Sequence, residues 1–148
     1  MLRTSLISGL PGEGQAEFEE LCEFLREARI ERAGVFPFSP EEGTPAAAMA
    51  HVDEEEARRR AALIMELQAP IMDDFCRRFV GRTIQVLCEG WDEESGRRFG
   101  RSYADSPDID GQVFFTGSCP EGEFAAVFIT SAEDGLLYGE EIRNDNCQ

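Results

Sequence analysis

Between residues 81 and 141 the chain carries five short β-prone runs: Thr83–Glu89, Arg98–Tyr103, Gln112–Thr116, Phe124–Ala132 and Leu136–Glu141. Gly, Pro, Asp and Ser gather between them. Five short strands in an open sheet would leave edges that invite pairing between molecules. Closing the sheet on itself removes those edges, so the spacing predicts a small five-stranded, OB-like antiparallel β-barrel.

The chain ahead of this region has a different rhythm. Thr4 to Ser8 is β-prone and ends in the turn cluster Gly9-Leu10-Pro11-Gly12. Phe18, Leu21, Cys22, Leu25 and Ala28 then recur at three and four, predicting a helix over 15–29 with one buried face. Glu17, Glu19, Glu20 and Glu23 load its first half and Arg26 and Arg29 its end, as the helix dipole favours. Ala33 to Phe38 reads as a second strand, so residues 1–50 form a right-handed βαβ unit with parallel strands. Such a unit leaves one sheet face uncovered, which predicts further strands beside it that this chain does not supply. A loop over 39–51 leads to a long helix from Asp53, its expected N-cap, to about Phe79, with Ala57, Ala61, Ile64, Leu67, Ile71, Phe75 and Phe79 along one stripe. Pro70 lies inside that stripe and predicts a kink or break just before it.

Charge and cysteine usage narrow the function classes. Of 148 residues 30 are acidic and 14 basic, a net charge of −16, and every basic residue is arginine. The barrel region holds 13 acidic residues against 4 arginines, net −9. Tight sequence-independent binding of a phosphate backbone needs clustered cations, so nucleic acid is a poor partner and a basic protein a better one. No apolar run approaches a membrane span, and Met1–Leu10 lacks the features of a secretory signal, which points to the cytoplasm. The five cysteines (Cys22, Cys76, Cys88, Cys119, Cys147) are scattered, with no CxxC or CxxxCxxC. None of these spacings can hold zinc or an iron–sulfur cluster, so no metal ligands and no catalytic residues are assigned.

Several motifs have a functional and a structural reading. Gly9, Gly12 and Gly14 precede a helix, but their order is wrong for a dinucleotide fingerprint and no Lys follows for a P-loop. A tight turn is the simpler account; a backbone edge lining a cofactor pocket is the alternative. The loop from Ser39 to Pro45 follows the second strand, at the same carboxyl end. His51, the only histidine, has no orienting neighbour in sequence and is not assigned as base or ligand. Arg58–Arg60, Arg77, Arg78 and Arg82 read as ion-paired helix surface rather than a phosphate track. Trp91 reads as a lid over the barrel end. Phe114, Phe115, Phe124 and Phe128 could stack bases, but without interleaved cations they read mostly as core. Asp105, Asp108 and Asp110 lack the spacing of a calcium loop and suit an acidic surface that meets a basic partner.

Three stretches resemble one family, the radical-SAM methylthiotransferases. Arg-Thr-Ser-Leu-Ile-Ser-Gly-Leu-Pro-Gly-Glu at 3–13 is similar to a late strand and turn of their barrel. Gly-Val-Phe-Pro-Phe-Ser-Pro-Glu-Glu-Gly-Thr-Pro-Ala at 34–46 resembles the last barrel strand and exit loop. Gly-Arg-Ser-Tyr-Ala-Asp-Ser-Pro-Asp-Ile-Asp-Gly at 100–111 resembles the TRAM domain of the RimO branch, which methylthiolates an aspartate of small-subunit ribosomal protein twelve. The likeness covers residues 3–141, and Pro70 is unusual within it.

The resemblance implies an α+β chain in four parts. Residues 1–50 would be a partial βαβ unit from the end of a TIM-like radical-SAM barrel, 51–80 a connecting helix, 81–141 the TRAM barrel and 142–148 a tail. It implies S-adenosylmethionine and 4Fe-4S clusters in the intact enzyme. Ile7, Ser8 and Gly9 would lie on the S-adenosylmethionine side, and Arg101, Tyr103, Asp105, Asp108 and Asp110 would dock the substrate. Lacking CxxxCxxC, this chain is expected to bind neither cofactor and to be inactive alone, its partners being a basic ribosomal protein and the missing barrel portion. The alternatives are a free-standing OB-like RNA-binding module, the tRNA-modifying methylthiotransferase branch, or a vestigial product with an exposed half-barrel face.

Overall fold

The computed structural model describes residues 1–107 and 110–142. The chain divides into two compact units, Met1–Met72 and Asp73–Gln148.

In the first unit, β1 (Arg3–Ser8) and β2 (Arg32–Pro37) pair in parallel around α1 (Gln15–Ala28), the βαβ unit expected. α1 starts where Glu17 turns back to accept the Gly14 N–H at 2.9 Å. It ends at Arg29, whose left-handed backbone (φ 46°) directs its N–H to the Leu25 carbonyl. Phe18, Cys22 and Leu25 face inward and form one core with Ile30 and with Ile64 of α2 (Glu54–Arg77), flanked by Leu6, Val35 and Leu67. Leu25 and Ile64 are almost completely buried, each worth roughly 2–3 kcal/mol of apolar transfer. The other face of the two-stranded sheet carries Ile7 and its cross-strand partner Phe36, 48% and 60% exposed. This is the uncovered face that the isolated unit implied.

α2 begins with Asp53, whose Oδ1 accepts the N–H groups of Glu55 and Glu56. The expected break at Pro70 does not occur, and the helix runs without interruption to Arg77. A proline removes one backbone hydrogen bond and crowds the preceding turn. Ala57, Ala61 and Ile64 before it, and Ile71, Phe75 and Cys76 after it, are buried, so core packing on both sides holds the helix through the defect. Among the described residues no helix is long and apolar enough to cross a membrane.

The second unit closes a barrel in the order β3 (Thr83–Asp92), β4 (Arg97–Arg101), β5 (Val113–Thr116), β7 (Leu136–Glu141), β6 (Phe124–Glu133) and back to β3. All five expected strands are present. Four pairings are antiparallel as expected, but β5 and β7 run parallel, which makes the barrel mixed. The reason is topological: β6 and β7 form a hairpin, and β7 fills the gap beside β5, so it must run in the direction of β5. Val86 and Cys88, Val113 and Phe115, Val127 and Ile129 are fully buried, two residues apart on each strand as an inward face requires. Gly139 lies where a Cβ would run into the Phe128 carbonyl of the adjoining strand, so this seam admits no side chain.

Candidate functional site

The first unit places Ile7, Ser8 and Gly9 at the carboxyl end of β1, and their polar groups are already engaged. Ser8 is buried and its hydroxyl donates to the Ala57 carbonyl at 2.9 Å. The Gly9 N–H donates to Glu13 Oε2 at 2.9 Å, and the Ser8 carbonyl accepts from Phe38 N. Gly9 has φ 77°, and a Cβ there would overlap Ala57, so only glycine fits. Of the three residues, the Ile7 side chain remains turned outward.

The glycine turn is therefore held from within. Glu13 takes the Gly9 N–H, and Arg60 takes Glu13. The Arg60 guanidinium donates Nη1 to Glu13 Oε1 at 2.8 Å and to the Glu13 and Gly14 carbonyls at 3.1 and 3.2 Å. Its Nε donates to Glu56 Oε1 at 2.8 Å, and the group lies over the Phe18 ring. Arg58 pairs with Glu54 and Arg59 with Glu56 on the exposed face, as the charge pattern predicted, but Arg60 is only 6% exposed. Hydrogen bonds from Arg59 and Arg60 hold the Glu56 carboxyl down at about 2.

At the carboxyl end of β2, a cleft of about 680 Å³ lies between the exit loop and the start of α2, lined by Pro37, Phe38, His51, Glu54 and Arg58. His51 Nε2 sits 2.9 Å from the Ala46 carbonyl with its ring edge against Phe38. Among the described residues no three His, Cys, Asp or Glu side chains stand together as metal ligands.

In the second unit, Arg101 and Asp110 line a cleft of about 260 Å³ with Glu89, Phe99 and Pro107. Arg101 pairs with Glu89 at 3.3 Å. Asp105 lies outside this cleft and organises the loop: its carboxylate accepts the Ser102 hydroxyl at 2.7 Å and the Ser102 N–H at 3.0 Å. Asp110 does the same for the Ser106 N–H, at 2.6 Å. Short carboxylate-to-backbone bonds of this kind fix a turn. They leave Tyr103, 77% exposed with its ring near Phe79, as a side chain that the described part of the loop presents. Asp108 lies outside the described residues.

The aromatic residues divide differently from the expectation. Phe115 is core, and Phe114 stacks on Tyr138, whose ring also carries the Arg97 guanidinium. Phe124 and Phe128 are 69% and 40% exposed, because β6 turns Ala125, Val127 and Ile129 inward instead. Trp91 is half exposed with Arg98 over its ring, and does not bury itself as a lid. Glu89 and Phe99, which complete the cleft beside Arg101, had no distinguishing signal in the sequence.

A TRAM domain model matches residues 80–142, the barrel. Relatives named ribosomal protein uS12 methylthiotransferase RimO match almost the whole chain. That of Roseiflexus sp. is 44% identical over 145 residues, covering 95% of this chain and 31% of its own length. That of Anaeromyxobacter sp. is 46% identical over 147 residues, covering 97% and 31%. Over almost its whole length the chain is similar to RimO methylthiotransferases, and its barrel is a TRAM domain. The chain spans about a third of the length of these RimO relatives, and that of Pelobacter propionicus, 45% identical, is covered to a similar extent, 32%. The sequence motifs that resembled the family's carboxy-terminal part, TRAM domain included, are thus matched along the chain.

Proposed function

We propose that this chain is the substrate-docking part of an enzyme that adds a methylthio group to an aspartate of ribosomal protein uS12. The observation that carries the reading is the near-complete match of the chain to relatives named for that activity. On this reading residues 1–50 close a radical-SAM barrel, 51–80 connect, 81–141 form the TRAM docking domain and 142–148 a tail. The protein works in the cytoplasm, beside its ribosomal substrate. The uncovered sheet face at Ile7 and Phe36 suits burial against the remainder of such a barrel.

The intact family enzyme would use S-adenosylmethionine and 4Fe-4S clusters, and these are assigned outside this chain. The sequence of this chain holds no CxxxCxxC motif to ligate a cluster. Nor do Ser8 Oγ and the Gly9 N–H offer S-adenosylmethionine a grip, being bonded within the unit; Ile7 could give it apolar contact only. What the chain itself does is bind. The −9 charge of the barrel region suits a basic protein and opposes RNA. Tyr103 and the Arg101–Glu89 cleft are the contact groups, with Asp105 and Asp110 fixing the loop that carries them and Asp108 adding charge.

The reading is tested by titrating the purified chain with uS12 and, separately, with tRNA over a range of salt. Saturable uS12 binding that weakens as salt rises is expected, with tRNA far weaker. Tighter binding of tRNA than of uS12 would overturn it.

A further inference from the structure

The outer face of β6 breaks the pattern of its strand. A strand with one face in a core normally turns polar side chains to water on the other. Here Ala125, Val127 and Ile129 fill the core, yet the outward positions are Phe124, Ala126 and Phe128. Phe124 is 69% exposed and Phe128 40%. Four residue steps along the strand set the two side chains about 13 Å apart, and the small Ala126 lies between them. On one side Ala126 pairs with Gln85 of β3. On the other the Ile142 N–H donates to the Ala126 carbonyl at 2.7 Å, and Ile142 is itself 42% exposed. The result is a shallow surface slot with an alanine floor, walled by Phe124, Phe128 and Ile142 and bordered on the β3 side by Gln85.

Its rim is acidic. Glu121 and Glu123 are exposed at the Phe124 end, and Glu140 is exposed as the cross-strand partner of Phe128, with Arg82 near that same end. The closed barrel offers no free strand edge, so a partner cannot dock by adding a strand. It must insert a side chain.

We propose that this slot takes an apolar side chain of uS12 flanked by Lys or Arg residues, the apolar group seated over Ala126 and the cations on Glu121, Glu123 and Glu140. This rests on the substrate reading above and assigns docking to a barrel face distinct from the Tyr103 loop. A phosphate backbone would meet the same carboxylates and be repelled, whereas a basic protein segment satisfies both the rings and the rim.

The test compares uS12 binding by the wild-type chain with that of Phe124→Ser/Phe128→Ser and of Glu123→Lys/Glu140→Lys, with thermal melts to confirm that each variant is folded. Each variant should weaken binding about tenfold or more, as loss of a buried anchor does, and the two should act through the same face. Wild-type binding with unchanged affinity in both variants would overturn the slot while leaving the substrate reading in place. No uS12 binding by the wild type would remove that reading and the slot together. A wild-type dimer that Phe124→Ser/Phe128→Ser converts to monomer, with uS12 affinity unchanged, would assign the face to self-association instead.

Discussion

Replacing Arg60 with methionine removes the cation that fastens the glycine turn to α2. In the folded chain the Arg60 side chain is 7% exposed and its partner Glu13 10%. The Glu13 carboxylate would keep only the Gly9 N–H, the Glu13 carbonyl would lose its donor, and the Gly14 carbonyl would keep only the Phe18 N–H. Leaving one member of a buried ion pair uncompensated costs about 3–5 kcal/mol. The Met side chain can still pack on Phe18, so the lower end, about 3 kcal/mol, is expected. Adding Glu13→Gln should recover a good part of it, because Gln carries no charge yet still accepts from Gly9. In urea, far-ultraviolet circular dichroism follows chiefly the helices, and the fluorescence of Trp91, the only tryptophan, follows the barrel. The helical transition should move to lower urea in Arg60→Met and partly back in the double variant, with the Trp91 transition unmoved. A helical shift below about 1 kcal/mol, the range of exposed pairs, would show that the pair is solvated and the argument wrong.

Two further outcomes follow from the same geometry. Glu56 titrates lower in the folded chain than its ordinary value of 4.5, at about 2, so the stability it contributes is present above its unfolded value and lost as pH falls from about 4.5 towards 2. Glu56→Gln should flatten the acid loss of helical signal in that window, and NMR should place the Glu56 midpoint near 2; an ordinary midpoint would break the link to Arg59 and Arg60. Gly139→Ala forces a methyl against the Phe128 carbonyl and should cost the barrel about 1–3 kcal/mol, read as a lower urea midpoint of Trp91 fluorescence, with no change counting against the close seam.

Local pattern carried the elements well, since periodicity of two or near 3.6 is a property of neighbouring residues. The stripe through Phe18, Cys22 and Leu25 and all five barrel strands could be read directly. The parallel β5–β7 seam could not, because pairing direction depends on which strands meet after folding. The phase of β6 was also hidden: Phe124, Ala125, Ala126, Val127, Phe128 and Ile129 are all apolar, so alternation does not say which set faces in. The turn at Asp134-Gly135, with φ of 50° and 75°, joins β6 to β7. Arg60 looks like its exposed neighbours in sequence, and only the return of Glu13 from another element makes it buried. The roles of Asp105 and Asp110 depend on hydroxyl and amide partners three and four residues away, which composition alone reads as an acidic surface.

The placement of β7 between β5 and β6 bears on how the barrel comes into being. Strands β3 to β6 can assemble in sequence only as an open sheet ordered β5-β4-β3-β6, with both outer edges unpaired. One strand, the last of the five to be synthesised, seals both edges at once, and half of that seal joins Val113 to Leu137 across the intervening strand β6. Closure is therefore a late event with a high loop-entropy barrier, and the nascent sheet must keep two adhesive borders apart until Leu136–Glu141 arrives.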